Sequence, residues 1–467
     1  MPPRPLTRRA FLGQASCAAI GSTALFNTLL NLRMVGTAAA QTVGGSDYRA
    51  LVCLFLSGGN DSFNLLVPSG NAAHEYPQYQ AVRQDLALPQ TELLPLASLN
   101  DPGRTLGLHP AMTGLQGLFA QGKAAFVANV GTLVERINKT QYENETVPVP
   151  LGLFSHSDQI QQWQTSIPQS SAAIGWGGRT ADLLHMLNDN QDISMNISLS
   201  GSNVWQAGQE AVEYAISSSG SIGLSGYEGS GTSLSAIRGG AVDSQLALEY
   251  QNLFEQTFAK GSRKAIDAHF QFMASINAAP ALTTVFPDTS LGRRMRMIAR
   301  VIAARQGLGV RRQTFFVEYG GWDHHDEVIA NQQAMLDQVS QSVTAFYNAT
   351  VELGIQDSVV LFTASDFART LTSNGSGSDH AWGGNHFVVG GPVQGQRIYG
   401  QYPDLYADSA LDTGRGRLIP TTAVDEYFAE LALWMGVDRS NLEVVLPNIA
   451  RFYNPSSLTN PLGFLAL

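Results

Sequence analysis

Apolar positions in this chain fall into two kinds of stretch. Short continuous runs occupy residues 50–56, 124–130, 314–319, 358–363 and 386–391. Runs of this length without polar alternation suit strands buried on both faces, as in a parallel sheet. Longer segments between them have helical spacing. In residues 327–353, Leu336, Val339, Val343 and Phe346 draw one apolar stripe, and Gly354 marks the stop. A shorter helix is predicted over 159–164. Strands alternating with helices predict an α/β fold with a central, mainly parallel sheet flanked by helices. Residues 217–240 are dominated by Ser and Gly and read as a flexible loop, while 242–310 read as a helical insertion.

The N-terminus is of another kind. Thr7-Arg8-Arg9-Ala10-Phe11-Leu12-Gly13 is a twin-arginine export signal, followed by a weakly apolar stretch and the small-residue cleavage pattern Ala38-Ala39-Ala40. Gly, Ser, Asn and Arg33 interrupt that stretch, so it is short of the ~20 clean apolar residues of a stable membrane span. Residues 1–40 are therefore predicted to be a signal peptide and 41–467 the folded domain, placed in the periplasm or outside the cell. Loss of residues 1–40 moves the formal net charge from −10 to −14. So acidic a chain repels phosphate backbones, which argues against nucleic acid as a partner. Only Cys53 then remains, inside an apolar run, and it reads as a buried small hydrophobe.

Candidate chemistry gathers at the predicted strand ends. Ser57-Gly58-Gly59-Asn60-Asp61 follows the first strand, where glycines let a backbone approach a ligand and Asp61 offers a hard oxygen donor; taken alone, the motif favours an ordinary turn. Leu153-Phe154-Ser155-His156-Ser157-Asp158 precedes the short helix. A hydroxyl there, Ser155 or Ser157, has free backbone N–H groups beside it and suits either an attacking oxygen or plain capping. In Asp323-His324-His325-Asp326 an extended backbone projects Asp323 and His325 one way and His324 the other. Asp366 and Arg369 follow the 358–363 strand, as a metal donor and an anion clamp or as a buried ion pair. Asp379-His380-Ala381-Trp382-Gly383-Gly384-Asn385-His386 forms a loop whose glycines can bring His380 and His386 together. His and Asp at such density are the donor types of a divalent metal site.

Taken together, these motifs and Gly175-Trp176-Gly177-Gly178-Arg179 resemble the DUF1501 family, exported proteins placed in the alkaline phosphatase-like superfamily. That resemblance implies an alkaline phosphatase-like fold and one or two divalent ions (zinc, manganese, calcium or magnesium). It also implies a hydrolase of phosphate or sulfate esters, with an anionic ester or glycan as partner. In the order typical of the superfamily, Asp61, Asp323, His325, Asp366, His380 and His386 are the implied metal ligands. Ser155 or Ser157 is the implied nucleophile, and Arg179 or Arg369 would steady the anion. One departure stands out: the superfamily's Asp-His-Gly is replaced by Ser365-Asp366-Phe367, and an Asp-His pair comes later, at Asp379-His380. The alternative reading is a non-catalytic exported protein that keeps a degenerate metal site for structure or glycan binding.

Overall fold

The computed structural model describes residues 48–229 and 231–467. The predicted export signal lies outside these residues. Ten strands form the main sheet: β1 (Arg49–Leu56), β2 (Ala124–Gly131), β3 (Asn196–Ser198), β4 (Tyr214–Ser217), β5 (Gly220–Ser221), β6 (Arg312–Glu318), β7 (Val359–Ser365), β8 (Gly384–Gly390), β9 (Ile398–Tyr399) and β10 (Thr422–Ala423). Their order is β9-β2-β8-β7-β1-β6-β3-β4-β5, with β10 also on β2. β1 is central and parallel to β6 and β7. β8 runs antiparallel between β7 and β2, so the sheet is mixed but mostly parallel.

β1 shows why its run lacks polar alternation. Ala50, Val52, Leu54 and Leu56 enter one core, while Leu51, Cys53 and Phe55 enter the other. Successive strand side chains point to opposite faces, and here both faces are covered. The first face carries α1 (Thr113–Ala120), α6 (Ser290–Ala303) and α7 (Val328–Glu352). The second carries α2 (His156–Thr165), α3 (Trp176–Leu184) and α8 (Val424–Met435). α7 buries Leu336, Val339, Val343 and Phe346, the predicted stripe, and Gly354 follows its end with φ +64°. Among the described residues no helix is long and apolar enough to cross a membrane.

Two expectations shift. The Ser/Gly-rich stretch 217–240 is not all loop: β5 lies in it, and α4 (Leu234–Leu246) starts there, capped by Ser233 accepting from the Ala236 N–H at 3.0 Å. A single cap and a few buried small residues override a linker-like composition. The strand expected over 386–391 starts at Gly384, with a register shift between Gly384 and His386. The remainder of 242–310 is occupied by α5 (Leu253–Ala278), α6 and a short turn of helix.

α8 is buried nearly all round and holds Asp425, fully enclosed, with no partner on either carboxylate oxygen. Burial pushes its carboxyl up to about 7, against weaker pulls from the nearby Ser166 hydroxyl, which forms no full hydrogen bond, and from Arg179. The folded chain therefore keeps a proton that the unfolded chain releases above about pH 4. Stability is expected to fall as pH rises between about 4 and about 7, with the loss complete above that window. Asp425→Asn should flatten this slope and raise stability above about pH 7 by on the order of 3 kcal/mol, read from urea midpoints across the window.

Candidate functional site

The carboxyl ends of β1, β6 and β7 meet the N-terminus of α2. Beyond β6 burial alternates along the chain: Trp322 and His324 are buried, whereas Asp323 and His325 face solvent. The Trp322 indole N–H donates to the Tyr319 carbonyl at 2.8 Å and anchors this stretch. Gly58, at φ +119°, supports it from behind: a Cβ there would lie 2.6 Å from the Asp323 nitrogen. The Gly58 N–H also donates to both Asp366 oxygens at 3.1 Å. Gly58→Ala is accordingly expected to cost on the order of 3 kcal/mol and to disturb the site together with the fold, measurable by thermal unfolding.

Three imidazoles converge on Asp323. His156 Nε2 lies 3.1 Å from His380 Nε2, which in turn lies 3.1 Å from His325 Nε2. The Asp323 carboxylate is 3.4 Å from His156 Nε2, 3.3 Å from His380 Nε2 and 3.0 Å from His325 Nε2. Each ring is fixed through its other nitrogen. His156 Nδ1 meets Asp366 Oδ2 at 2.6 Å, His325 Nδ1 meets Asp379 Oδ1 at 3.1 Å, and His380 Nδ1 meets the Phe154 carbonyl at 2.8 Å. Phe154 holds φ +76°, a strained conformation for a non-glycine residue that aims this carbonyl at the ring. Phe367 backs the pair, its ring 4.8 Å from His156 and 4.6 Å from His380.

This arrangement fixes where the protons sit. A carbonyl accepts only, and so does an ionised carboxylate, so each Nδ1 carries the hydrogen. The Nε2 atoms of neutral rings would then present lone pairs to one another at 3.1 Å, a repulsion relieved by a metal ion among them or by a proton on one Nε2, which the raised pKa of His156 favours. Ligand bonds of about 2.0–2.1 Å in a tetrahedron imply edges of roughly 3.3 Å. The His156–His380 separation of 3.1 Å and that of His380 from Asp323 Oδ1 of 3.3 Å are near this length, while His156 lies 3.4 Å from the other Asp323 oxygen, Oδ2. These three offer ligand atoms all within 4.8 Å of one another, and His325 adjoins them through Asp323 and His380. A ligating histidine oriented by a carboxylate or carbonyl is the usual outer shell of a metal site.

The charges are arranged to match. The hydrogen bond that His156 donates to Asp366 raises the His156 pKa, opposed by burial and assisted by the charges of Asp366 and Asp323. Burial lowers that of His380. For Asp323, burial works upward, but the charge and hydrogen bond of Arg369 carry the carboxyl below its ordinary value. Arg369 is buried and donates to Asp323 Oδ1 at 2.7 Å, while its Nε and Nη1 atoms have no partner. The site is open: the side chains of His156, Asp323 and His380 are 31%, 44% and 25% exposed.

The structure thus brings Asp323, His325 and His380 together and sets Asp366 and Arg369 one contact behind them. His156 was not anticipated as a ligand, although it sits between the two serines singled out at the start of α2. Ser155 is the N-cap of that helix but makes no capping bond, and its hydroxyl lies 3.2 Å from that of Ser157. Three residues are placed elsewhere. Asp61 is buried and paired with Arg83, because a carboxylate at this depth takes the nearest guanidinium. His386 lies inside β8 against Thr363 and 4.7 Å from the Trp163 ring, where burial lowers its pKa to about 3. Arg179 spends its guanidinium on the carbonyls of Thr165, Ile174 and Val445, tying α2 and α3 to the segment at Val445.

No curated protein matches the chain. Among the solved structures that do match are two at 9% identity, each covering 87% of this chain and 77% of the other. They are the crystal structures of Ps i-CgsB, TM-score 0.32, and of Ps i-CgsB in complex with k-i-k-neocarrahexaose, TM-score 0.30. The family described as "Protein of unknown function (DUF1501)" matches residues 48–441, and the chain belongs to that family.

Proposed function

We propose that this protein is an exported metal-dependent hydrolase of phosphate or sulfate esters, with its ion held by His156, Asp323 and His380 and adjoined by His325. The observation that carries the proposal is the convergence of imidazole Nε2 atoms whose Nδ1 protons are all held by oxygen acceptors. Open exposure favours catalysis, because structural metal sites are closed by protein ligands whereas catalytic ones keep a position for water or substrate. A divalent ion there would supply Lewis-acid polarisation of an ester oxygen. Arg369, buried behind Asp323, contributes positive charge to a site for an anionic ester. Ser155 stands next to His156 with its hydroxyl unused by the helix cap and in contact only with that of Ser157, which makes it the candidate attacking oxygen. The alkaline phosphatase-like superfamily and the twin-arginine export route belong to this same reading.

The test is metal content together with turnover of generic aryl phosphates and aryl sulfates by the purified protein. The reading expects bound metal and ester hydrolysis, both lost in Asp323→Asn, with hydrolysis alone lost in Ser155→Ala. A second reading, a metal site kept for structure or glycan binding, is favoured by Asp61. Its pairing with Arg83 removes from the site a donor that the superfamily resemblance assigns to the ions. Bound metal without turnover of either ester class would select that reading.

A further inference from the structure

Beside the candidate metal site the chain makes a tight turn, Gly414-Arg415-Gly416-Arg417. Three consecutive residues there hold positive φ: Gly414 at +111°, Arg415 at +63° and Gly416 at +73°. Glycine takes such angles freely, whereas Arg415 is strained by them. The turn is fastened from several sides. Asp412 Oδ1 accepts from the Gly414 and Gly416 N–H groups at 2.8 Å each, and the Arg415 carbonyl accepts from the Thr372 hydroxyl at 2.9 Å. Strain of this kind persists only where the surroundings over-determine it, and it gathers at ligand sites.

Both arginines of the turn reach residues of the site. Arg415 pairs through Nη2 with Asp379 Oδ2, and the other oxygen of Asp379 meets His325 Nδ1 at 3.1 Å. Arg417 donates from Nε to the His380 carbonyl at 3.1 Å and lies over the Phe154 ring, 4.7 Å from its centroid. Phe154 directly precedes Ser155. The Arg417 guanidinium is thus held at one edge and one face. Its Nη1 and Nη2 have no hydrogen-bond partner, and no carboxylate pairs with it, among the described residues. Arg417 is half-buried and Arg415 is 48% exposed. In a chain of net charge −10, an immobilised guanidinium without a carboxylate is left over for a ligand. Its open planar fork matches an oxyanion in two-point contact.

We infer that Arg417 binds a second anionic group of the substrate, so that the preferred ester carries an oxyanion besides the one at the ion. Arg415 assists by neutralising Asp379, which would otherwise repel that group. This role presupposes the proposed ester hydrolysis and narrows its substrate class to esters with a neighbouring sulfuryl, phosphoryl or carboxylate group. Arg417 is accordingly a specificity-determining residue, one contact removed from the ion through His380.

Calorimetric titration of the protein isolated without chelators tests this without turnover, at low ionic strength. The probes are benzenesulfonate, benzene-1,3-disulfonate and 3-sulfobenzoate. At least one of the two dianions should bind about tenfold more tightly than the monoanion, as expected of one charge-assisted contact. Preference for the disulfonate assigns the second group as sulfuryl or phosphoryl, and preference for 3-sulfobenzoate assigns it as carboxylate. In Arg417→Gln the dianions should fall to the affinity of the monoanion, and Arg417→Lys should recover part of the difference. Equal affinity for all three probes in the native protein would overturn the inference, as would a dianion preference that survives Arg417→Gln. So would loss of metal in Arg417→Gln, which would mean that Arg417 only holds the His380 carbonyl. Failure of the proposed hydrolysis would show separately, as absent aryl ester turnover with the dianion preference intact.

Discussion

Replacing His156 by alanine is expected to abolish stoichiometric metal binding while leaving the protein folded. His156 is half-buried, and its removal opens no core cavity, since its contacts are Asp366, Asp323, His380 and the Phe367 ring. Structural zinc sites bind with roughly 10–16 kcal/mol over four ligands, or about 3–4 kcal/mol per ligand. Loss of one ligand should then weaken the ion by about 10²–10³-fold. Asp366→Asn is expected to cost less, about 10–100-fold, because Asp366 meets the His156 ring at the nitrogen that faces away from the ion. Calorimetric titration of the stripped protein with divalent ions gives both numbers. An Asp366→Asn effect larger than that of His156→Ala would make Asp366 a ligand rather than a support.

The largest stability effect is expected at Arg83. Its guanidinium is fully buried, pairs with Asp61 and donates to the Thr370 carbonyl at 2.9 Å, which ties the end of β1 to the chain beyond Arg369. Arg83→Met removes the partner and strands a buried carboxylate, at a cost of about 3–5 kcal/mol. The double variant Arg83→Met with Asp61→Asn should recover much of this, because no uncompensated charge remains. Urea unfolding measures both. Asp61→Asn by itself should lower stability yet leave metal content unchanged. Loss of metal in that variant would return Asp61 to the ligand set.

The main elements were legible because they depend on local pattern. β1, β2, β6 and β7 are continuous apolar runs, since both faces of the sheet are covered. α7 carries a single stripe because one face is buried. Asp323 and His325 were legible as a pair because burial alternates along the chain beyond β6. Partners brought together by the fold were not. His156 stands 210 residues from Asp366 and 224 from His380, and no local spacing connects them. Asp61 reads as a metal donor in its motif, and only the fold reveals Arg83 beside it. His386 was misplaced by two residues of strand boundary: β8 begins at Gly384, which puts the ring into the core beside Trp163. In residues 217–240, composition favoured a loop, yet one serine cap starts a helix there.

The most direct measurement of the central claim is elemental analysis of the protein isolated without chelators, native and His156→Ala side by side. The geometry at Asp323 predicts a divalent metal present in stoichiometric amount in the native protein and absent from the variant. A native protein that contains no metal and takes up none on addition would contradict the account, as would a variant that retains the native content.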